Sequence, residues 1–371
     1  MTAWLINSLL AMLLSILFAG ILIPQILLIS FRKRLFDNPD ERKIHKMAVP
    51  RLGGIAFTPV IILSVSLLLG ISIITENYQL QQSMWMYAQP MSFGICSLLI
   101  MYLTGMSDDL IGIRYSAKFI IQVLCAILII CGGLWVNDFH GVLWINDITP
   151  WIGIPLTIIV VVYVVNAINL IDGIDGLASG LSSAALIIYG GAFIIIDRPV
   201  FAIIAFAALG ALIQFFYYNV FGDPTKGKKI FMGDTGSLTI GLIIVFLGLV
   251  LLNESPDTFP RLQTNPVILV ISPLIIPSFD VARVFFYRIR HHGNPFMPDK
   301  NHIHHKLLAV GLKQRTSMVL IVLSSVVFSV VNIFISKYVN VNLLILIDIV
   351  VWTLVNMWLS NKIKRRRRAP G

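Results

Sequence analysis

The feature that most constrains the fold is a series of long apolar segments that recurs along the chain. We count eleven, and each is long enough to cross, or nearly cross, the roughly 30 Å hydrocarbon core of a bilayer. Because hydrocarbon offers no water to satisfy backbone groups, apolar runs of this length predict helices rather than a barrel. The predicted spans are 4–31, 52–75, 90–106, 117–136, 152–168, 180–196, 199–219, 236–252, 266–287, 317–336 and 341–360. The sequence therefore predicts an all-α, polytopic helical membrane protein.

The composition agrees with this fold class. Of the 371 residues, 57% are hydrophobic and 12% are charged, whereas a soluble domain has about 25% charged residues. The three cysteines, Cys96, Cys125 and Cys131, lie inside apolar spans and lack metal-binding spacing, so we interpret them as packing residues.

The formal net charge of +10 follows from membrane topology and does not indicate a nucleic-acid partner. All of the 28 Lys and Arg residues except Arg198, Arg261 and Lys337 fall on one side of the predicted membrane. Loops rich in basic residues stay in the cytoplasm. We therefore predict that the N-terminus is outside and that the C-terminus is cytoplasmic, where the basic tail 361–371 meets anionic membrane lipid.

We expect a single integral membrane domain over residues 1–371. The first span is kept in this domain because it lacks the cleavage pattern of a signal peptide. The two longest cytoplasmic loops, 32–51 and 288–316, are too short to fold alone.

The most unusual polar segment is Asn166–Gly180, which lies between two apolar runs. Asp172 and Asp175 are three residues apart and share a face if the turn is helical. Gly173 and Gly176 leave room for a ligand or for neighbouring backbone. Carboxylates in so apolar a frame predict a metal or phosphate site, and the alternative is a polar loop that only joins two helices.

Two further acidic motifs fall on the same predicted cytoplasmic face. Asp108 and Asp109 close the third span, and Asp234 opens the eighth. Adjacent like charges repel each other, and a divalent cation relieves the repulsion. Oxygen-only ligands near phosphate groups predict Mg²⁺, with Mn²⁺ as a tolerated substitute. The acids of the outward loops are instead scattered in polar turns and are expected to be solvated: Glu76, Asp138, Asp147, Asp197, Glu254 and Asp257.

Basic and histidine side chains accompany these acids. Lys46 lies just before Pro50-Arg51-Leu52-Gly53-Gly54, and His302, His304 and His305 lie within four residues. Imidazoles bind phosphate oxygens, move protons or ligate metals. A zinc site is the alternative for the histidines, although no fourth ligand has suitable spacing. A metal among many cations suits a nucleotide diphosphate or a lipid phosphate.

Glycine pairs also flank these motifs. Gly53-Gly54 and Gly233 with Gly236 allow backbone to approach a phosphate, although no dinucleotide or Walker fingerprint occurs.

Asp348 lies inside the last predicted span. An intramembrane acid is a functional candidate by default. Because Asp348 is far along the chain from every other cluster, we interpret it as a buried hydrogen-bonding group between neighbouring helices.

Taken together, these motifs resemble the polyprenyl-phosphate N-acetylhexosamine-1-phosphate transferase family (glycosyltransferase family 4), which shares a superfamily with phospho-N-acetylmuramoyl-pentapeptide transferase. The matching positions follow the family's order over about residues 40 to 310: Lys46 to Gly54, Ser107 to Asp109, Asn166 to Gly180, Asn219, Phe231 to Ser237, Asp280 and Pro295 to His305. The Asn301 to His305 pattern is similar to the hexosamine branch.

The resemblance implies a reaction in a bacterial inner membrane, with the active site on the cytoplasmic face. A UDP-N-acetylhexosamine, most commonly UDP-GlcNAc, gives its sugar-1-phosphate to undecaprenyl phosphate and leaves UMP, which initiates synthesis of a cell-envelope glycan. The resemblance implies that Asp234 coordinates Mg²⁺ and that Asp108 and Asp109 bind metal or activate the acceptor. It implies that Asp172, Asp175 and Asn169 line the nucleotide-sugar pocket, with the two acids taking part in catalysis. The residues implied to lie near the diphosphate are Lys46, Asn219, His302, His304 and His305.

Several alternatives stay open at the level of sequence. We favour direct displacement, but a two-step route through an Asp nucleophile is also compatible with the residues. A muramoyl-pentapeptide transferase would differ only in its donor. A transporter or lipid flippase would place charges near mid-membrane on broken helices. The exact sugar, the downstream polymer and a homodimer are not determined by the sequence.

Overall fold

The computed structural model is helical throughout the part of the chain that it describes, apart from an isolated bridge between Asp138 and Asp147. The described residues are 2–35, 49–254, 259–262, 264–290 and 302–368. The helices are α1 (Thr2–Lys33), α2 (Phe57–Ile74), α3 (Tyr78–Met86), α4 (Ala88–Ile111), α5 (Tyr115–Cys131), α6 (Pro150–Ile171), α7 (Leu177–Ile195), α8 (Pro199–Val220), α9 (Gly233–Leu252), α10 (Phe259–Leu262), α11 (Pro266–Ile271), α12 (Ile275–Arg290), α13 (Ile303–Ala309), α14 (Gln314–Ile335) and α15 (Val341–Arg368). Four short 3-10 turns join them, at Gly53–Ala56, Val142–Trp144, Pro224–Lys226 and Ser272–Leu274.

Ten segments within the described residues are long and apolar enough to cross a membrane. One of them, Pro266–Arg290, combines α11 and α12 through the 3-10 turn Ser272–Leu274. The fourth predicted span corresponds to α5, which is apolar but has only 17 residues. The structure thus confirms a multi-pass helical membrane protein, while the count of eleven and the orientation of the termini stay predictions.

Helix α9 lies at the centre of the bundle and is buried along almost its whole length. A helix that is apolar on every side is expected to take such a position. Helices α4, α6 and α7 pack against it, and α5 packs between α4 and α6. The polar first turn of α9 is therefore surrounded by the ends of its neighbours.

Glycines allow the closest of these contacts. A Cβ atom added to Gly105 of α4 would lie 2.5 Å from Thr235 Cα, and one added to Gly54 would lie 2.0 Å from the Gly236 nitrogen. A Cβ on Gly53 would lie 2.7 Å from the Phe231 carbonyl oxygen. The glycine pairs interpreted as room for phosphate thus allow one backbone to approach another, as small residues do between membrane helices.

The opposite end of the bundle is held by a buried ion pair. Arg198 donates to Glu254 through Nε and Nη2, each at 2.8 Å, and the Tyr87 hydroxyl donates to Glu254 at 3.1 Å. Glu254 is only 7% exposed. The prediction that Glu254 is a solvated loop acid is therefore wrong, because a cation from the turn between α7 and α8 compensates its burial.

Two smaller predictions can be compared with the structure. Asp348 is buried and accepts a hydrogen bond from Asn332 Nδ2 at 2.8 Å, which confirms it as a contact between α14 and α15. All three cysteines are free, but only Cys125 is buried. Cys96 and Cys131 lie on the surface of the bundle, so the packing interpretation holds for Cys125 alone.

We expect Gly105→Ala to destabilise the protein, because the added methyl group would meet the backbone of Thr235. Overpacking of this kind costs about 1–3 kcal/mol. The matched control is Gly70→Ala, since nothing lies within 4 Å of a Cβ at Gly70 in α2. Thermal unfolding in detergent should show a lower melting temperature for Gly105→Ala and no loss for Gly70→Ala. Equal melting temperatures would contradict the close packing of α4 on α9.

Candidate active site

Three helix ends bring their charged residues together at one end of the bundle. Lys118 in the first turn of α5 places its Nζ atom 2.8 Å from Asp108 Oδ2 at the end of α4. The same Nζ atom lies 2.7 Å from Asp234 Oδ2 at the start of α9. Asp108 and Asp234 therefore share one ammonium group, as the predicted convergence of the acidic motifs requires.

Helix α6 completes this cluster from the other side of α9. Asn169 Nδ2 donates to Asp234 Oδ1 at 3.1 Å and to Ser237 Oγ at 2.8 Å. Both carboxylate oxygens of Asp234 thus have a polar neighbour, and the side chain is fixed between Lys118 and Asn169. The structure places the predicted nucleotide-sugar residue Asn169 directly beside the predicted metal ligand Asp234.

Asp109 has a different position from its neighbour Asp108. Its Oδ1 atom accepts the backbone N–H of Asp234 at 2.8 Å, and its Oδ2 atom accepts the N–H of Thr235 at 2.9 Å and the Thr235 hydroxyl. The first N–H groups of a helix lack partners within the helix. Asp109 of α4 therefore caps the N-terminus of α9, and this contact explains why its side chain is buried. The predicted catalytic and metal-binding roles of Asp109 stay predictions.

The turn after α6 carries the other two predicted catalytic acids. Asp175 forms an ion pair with Lys229, with 2.5 Å between Nζ and Oδ2. Asp172 is exposed on this turn, and its carboxylate accepts no hydrogen bond from the residues described by the structure. Burial of the carboxyl among its surroundings, together with the charges of Asp234 and Asp175, raises the pKa of Asp172 to about 7.

Asn219 holds this turn in place. Its Oδ1 atom accepts the N–H of Gly176 at 2.7 Å, and its Nδ2 atom donates to the Ile230 carbonyl at 2.9 Å. The side chain is buried and joins the turn after α6 to the segment before α9. The geometry therefore favours a role in positioning, and the predicted contact between Asn219 and the diphosphate stays a prediction.

The histidine segment is attached to α12 at Asp280. His302 Nδ1 lies 2.8 Å from Asp280 Oδ2, and the Ile303 N–H donates to the same carboxylate at 3.0 Å. Arg283 Nη2 also donates to Asp280 at 2.8 Å. Asp280 is fully buried, so its three polar partners fix both the acid and the start of α13.

His304 points toward the turn that carries Asp172. A Cβ atom on Gly173 would lie 2.3 Å from His304 Nε2, so the absence of a side chain at Gly173 makes room for the imidazole ring. His304 is 1% exposed, and neither ring nitrogen has a hydrogen-bond partner within the described residues. Burial, together with the neighbouring His305 and His302, lowers the pKa of His304 to about 3. The ring is therefore neutral at physiological pH, with unused hydrogen-bonding capacity. The ring centroid of His305 lies 4.1 Å from that of His304.

Two residues of this site were missed by the sequence analysis. Lys118 was counted only among the basic loop residues. It lies ten residues after Asp108, across the turn at Gly112, and this spacing could have indicated a contact between the two side chains. Asp280 was matched to the family pattern, but no role was assigned to it. It lies inside an apolar span, where an acidic residue is a functional candidate by default. Lys46 lies outside the described residues.

The oxygen atoms of the clustered carboxylates are ligands of the kind that a hard divalent cation such as Mg²⁺ prefers. The side chains that converge are carboxylates, and an ammonium group already lies between Asp108 and Asp234. Within the described residues, no three His, Cys, Asp or Glu side chains form a ready-made ligand group. Mg²⁺ commonly binds through one or two carboxylates and completes its shell with substrate phosphates and water, so an incomplete protein shell is compatible with this ion.

The chain is similar to a known protein family and to several known proteins. A family described as Glycosyl transferase family 4 matches residues 91–252. A probable undecaprenyl-phosphate N-acetylglucosaminyl 1-phosphate transferase of Bacillus subtilis (strain 168) is 31% identical over 333 residues, which cover 88% of this chain and 84% of the relative.

Two further relatives are similar over most of their length. An undecaprenyl-phosphate alpha-N-acetylglucosaminyl 1-phosphate transferase of Pasteurella multocida (strain Pm70) is 32% identical, covering 81% of this chain and 78% of the relative. A decaprenyl-phosphate N-acetylglucosaminephosphotransferase of Mycolicibacterium smegmatis (strain ATCC 700084 / mc(2)155) is 29% identical, covering 77% and 71%.

The helical bundle and the acids at one of its ends thus define a multi-pass membrane transferase. Within that class, the chain belongs to the undecaprenyl-phosphate N-acetylglucosaminyl 1-phosphate transferase family, which confirms the resemblance found in the sequence.

The raised pKa of Asp172 gives a pH prediction. Between about pH 4 and pH 7, the folded protein keeps a proton on Asp172 that the unfolded chain has lost. The contribution of this residue to stability therefore falls as pH rises through that window. Asp172→Asn removes this effect, so the melting temperature of the variant should rise relative to wild type between pH 5 and pH 8. The measurement is thermal unfolding in detergent with a chelator present, and a difference that does not change with pH would contradict the assignment.

Proposed function

We propose that this protein transfers GlcNAc-1-phosphate from UDP-GlcNAc to undecaprenyl phosphate and releases UMP. The observation that carries the proposal is the Asp108–Lys118–Asp234 cluster, with the Asp172 turn beside it, in a chain of this family. The relatives are named for GlcNAc-1-phosphate transfer to a polyprenyl phosphate, which favours this donor over a muramoyl pentapeptide.

The proposed cofactor is Mg²⁺, and Asp234 is the residue best placed to hold it. Asp108 shares the same ammonium group and can complete the site around a bound diphosphate. When bound, Mg²⁺ would offset the negative charge that builds on the departing UMP.

The reaction is a displacement at the β-phosphorus of the donor. An oxygen of the lipid phosphate forms the new P–O bond, the bond from the β-phosphorus to the bridging oxygen breaks, and that oxygen leaves as part of UMP. Such a reaction depends mainly on holding the two phosphates in line. We propose direct displacement, since the site offers several fixed charges for positioning.

Asp172 is the best candidate to receive a residual proton from the acceptor. A phosphate monoester loses its second proton near pH 6, and the pKa of Asp172 of about 7 is close to that value. Asp108 is less suited to this task because Lys118 and the Ile113 N–H already occupy its carboxylate, at 2.8 and 2.6 Å.

His304 is suited to contact a phosphate oxygen. Its neutral ring carries one N–H donor without a partner among the described residues, directly beside the turn that carries Asp172. Lys118, beside Asp234, and Lys229, beside Asp175, add positive charge at the same end of the bundle. These groups would compensate a diphosphate without a proton transfer from the histidine.

We further propose that the site faces the cytoplasm of a bacterial inner membrane. The acids lie at the helix ends that adjoin the basic loops, and basic loops remain in the cytoplasm. UDP-sugars are soluble molecules, and the acceptor phosphate lies at the membrane surface, so both substrates can meet there.

The central test is an assay for UMP. The purified protein should release UMP from UDP-GlcNAc only when both undecaprenyl phosphate and Mg²⁺ are present. Asp234→Asn should lower turnover on the order of 10²-fold or more, because a charged ligand becomes neutral. The matched control is Asp223→Asn, an exposed acid of the loop before α9, which should keep wild-type turnover.

Parallel reactions with UDP-MurNAc-pentapeptide separate the two transferase alternatives. Turnover of that donor in preference to UDP-GlcNAc would overturn the proposed substrate. Near-normal turnover by Asp234→Asn would overturn the proposed metal site. Movement of a solute across vesicles without cleavage of any bond would favour a transporter instead.

A second test uses Lys118→Met. Loss of the ammonium group leaves Asp108 and Asp234 facing each other without compensation, so the variant should be less stable in a chelator. Added Mg²⁺ should then raise its melting temperature more than it raises that of wild type. Lys226→Met, an exposed lysine whose side chain is 73% accessible, is the control. An unchanged or smaller Mg²⁺ effect in Lys118→Met would count against a cation between these carboxylates.

A further inference from the structure

Among the described residues, two polar contacts tie the start and the middle of the histidine helix α13 to neighbouring helices. The first is Asp280 of α12, which binds His302 and the Ile303 N–H at the start of the helix. The second is Lys306, one turn further along. Lys306 extends away from the acidic cluster toward the last membrane helix.

Lys306 contacts two neutral oxygen atoms of α15. Its Nζ atom lies 3.2 Å from Asn356 Oδ1 and 3.1 Å from Ser360 Oγ. These two residues are four apart and therefore lie on the same face of α15. Asn356 is buried, and its amide also donates to the Trp352 carbonyl at 3.1 Å. One ammonium group thus joins α13 to two successive turns of α15.

The Lys306 contact places a charged group against uncharged partners. Burial of a charged group is costly unless it is well compensated, and the two oxygens that receive the Lys306 ammonium belong to uncharged side chains. Burial and the nearby Arg283 lower the pKa of Lys306 to about 8. The two directed contacts of the ammonium group fix the position of α13 relative to α15.

Helix α15 contacts its neighbours through a few side chains. Asn332 of α14 donates to Asp348 of α15 at 2.8 Å, and both residues are buried. At the other end of α15, Arg366 donates to the Val310 carbonyl, just after α13. Together with the Lys306 contacts, this places α15 directly against the histidine segment.

We propose that α15 positions the histidine segment for the nucleotide-sugar, with Lys306 as the positioning residue that transmits this support. The inference rests on the proposed function, in which His304 contacts the diphosphate beside Asp172. His304 is two residues before Lys306 and packs on Gly173, so a shift of α13 displaces the ring directly. A displacement of about 1 Å in a reacting geometry is enough to lower a rate by a large factor.

The experiment compares two isosteric changes at Asn356, a residue inside the membrane helix that lies outside the acidic cluster. Asn356→Asp keeps an oxygen acceptor for Lys306, whereas Asn356→Leu removes it. Asn361→Leu, on an exposed face of α15, controls for the change to leucine. Hydrogen–deuterium exchange of residues 302–310 should be faster in Asn356→Leu and unchanged in Asn356→Asp and Asn361→Leu.

Steady-state kinetics provide the functional readout. Asn356→Leu and Lys306→Met should each raise the KM for UDP-GlcNAc roughly tenfold, the effect expected for loss of a hydrogen bond to a charged group. The KM for undecaprenyl phosphate should not change. Combining Asn356→Leu with Lys306→Met should be no worse than Lys306→Met alone, because both changes remove the same contact.

The outcomes are distinguishable. Equal exchange of residues 302–310 in the Leu and Asp variants overturns the proposal, as does an equal rise in KM for both substrates or an additive double variant. If the wild-type protein does not turn over UDP-GlcNAc, the proposed function fails, and the exchange data alone decide whether α15 holds α13. If Asn356→Leu does not fold, Ser360→Ala removes the other acceptor and should change exchange and KM in the same direction.

Discussion

The N-terminus of α9 is the constraint on which the site depends. A helix that is buried along almost its whole length still begins with N–H groups that have no partner inside the helix. Asp109 of α4 supplies the missing acceptors for Asp234 and Thr235. The contact also places the negative charge of Asp109 at the N-terminus of α9, which is the positive end of the helix dipole. Because the cap comes from another helix, satisfying the start of α9 also fixes the distance between the two acidic motifs.

The same end of the bundle divides its charges among different tasks. Asp109 is used by the backbone of α9, and Asp175 is used by Lys229. Asp108 and Asp234 share one lysine, which leaves this pair with an excess of negative charge. Asp172 has neither an ion pair nor a hydrogen bond to its carboxylate among the described residues, and desolvation together with the charges of Asp234 and Asp175 raises its pKa. The five neighbouring aspartates thus differ in what they can do for a ligand.

Much of this arrangement could be predicted from the sequence. Apolar length gives the helices, and the alternation of their directions brings Asp108, Asp172 and Asp234 to one end of the bundle. Predicting the partners of each side chain is harder, because they are set by packing between distant segments. Lys118 and Asp234 are 116 residues apart, and Gly176 and Asn219 are 43 apart.

The errors have the same origin. Glu254 was interpreted as solvated because nothing near it in the sequence indicates Arg198, 56 residues away, as its partner. The glycine pairs were assigned to a ligand because the sequence does not reveal which backbone approaches them. Local composition therefore predicts where polar groups gather, while the tertiary structure decides which of them are free.

The ion pair between Arg198 and Glu254 has a mechanical consequence for a protein whose candidate active site lies at the other end of α9. It ties the start of α8 to the end of α9, and Tyr87 adds the start of α4 to the same contact. Removing one partner of a buried pair costs about 3–5 kcal/mol, because the other charge is left without compensation. A carrier that rocks its helices to open alternately on both sides would have to break the contact in every cycle. A catalyst that takes up and releases both substrates at a single leaflet can leave it closed throughout.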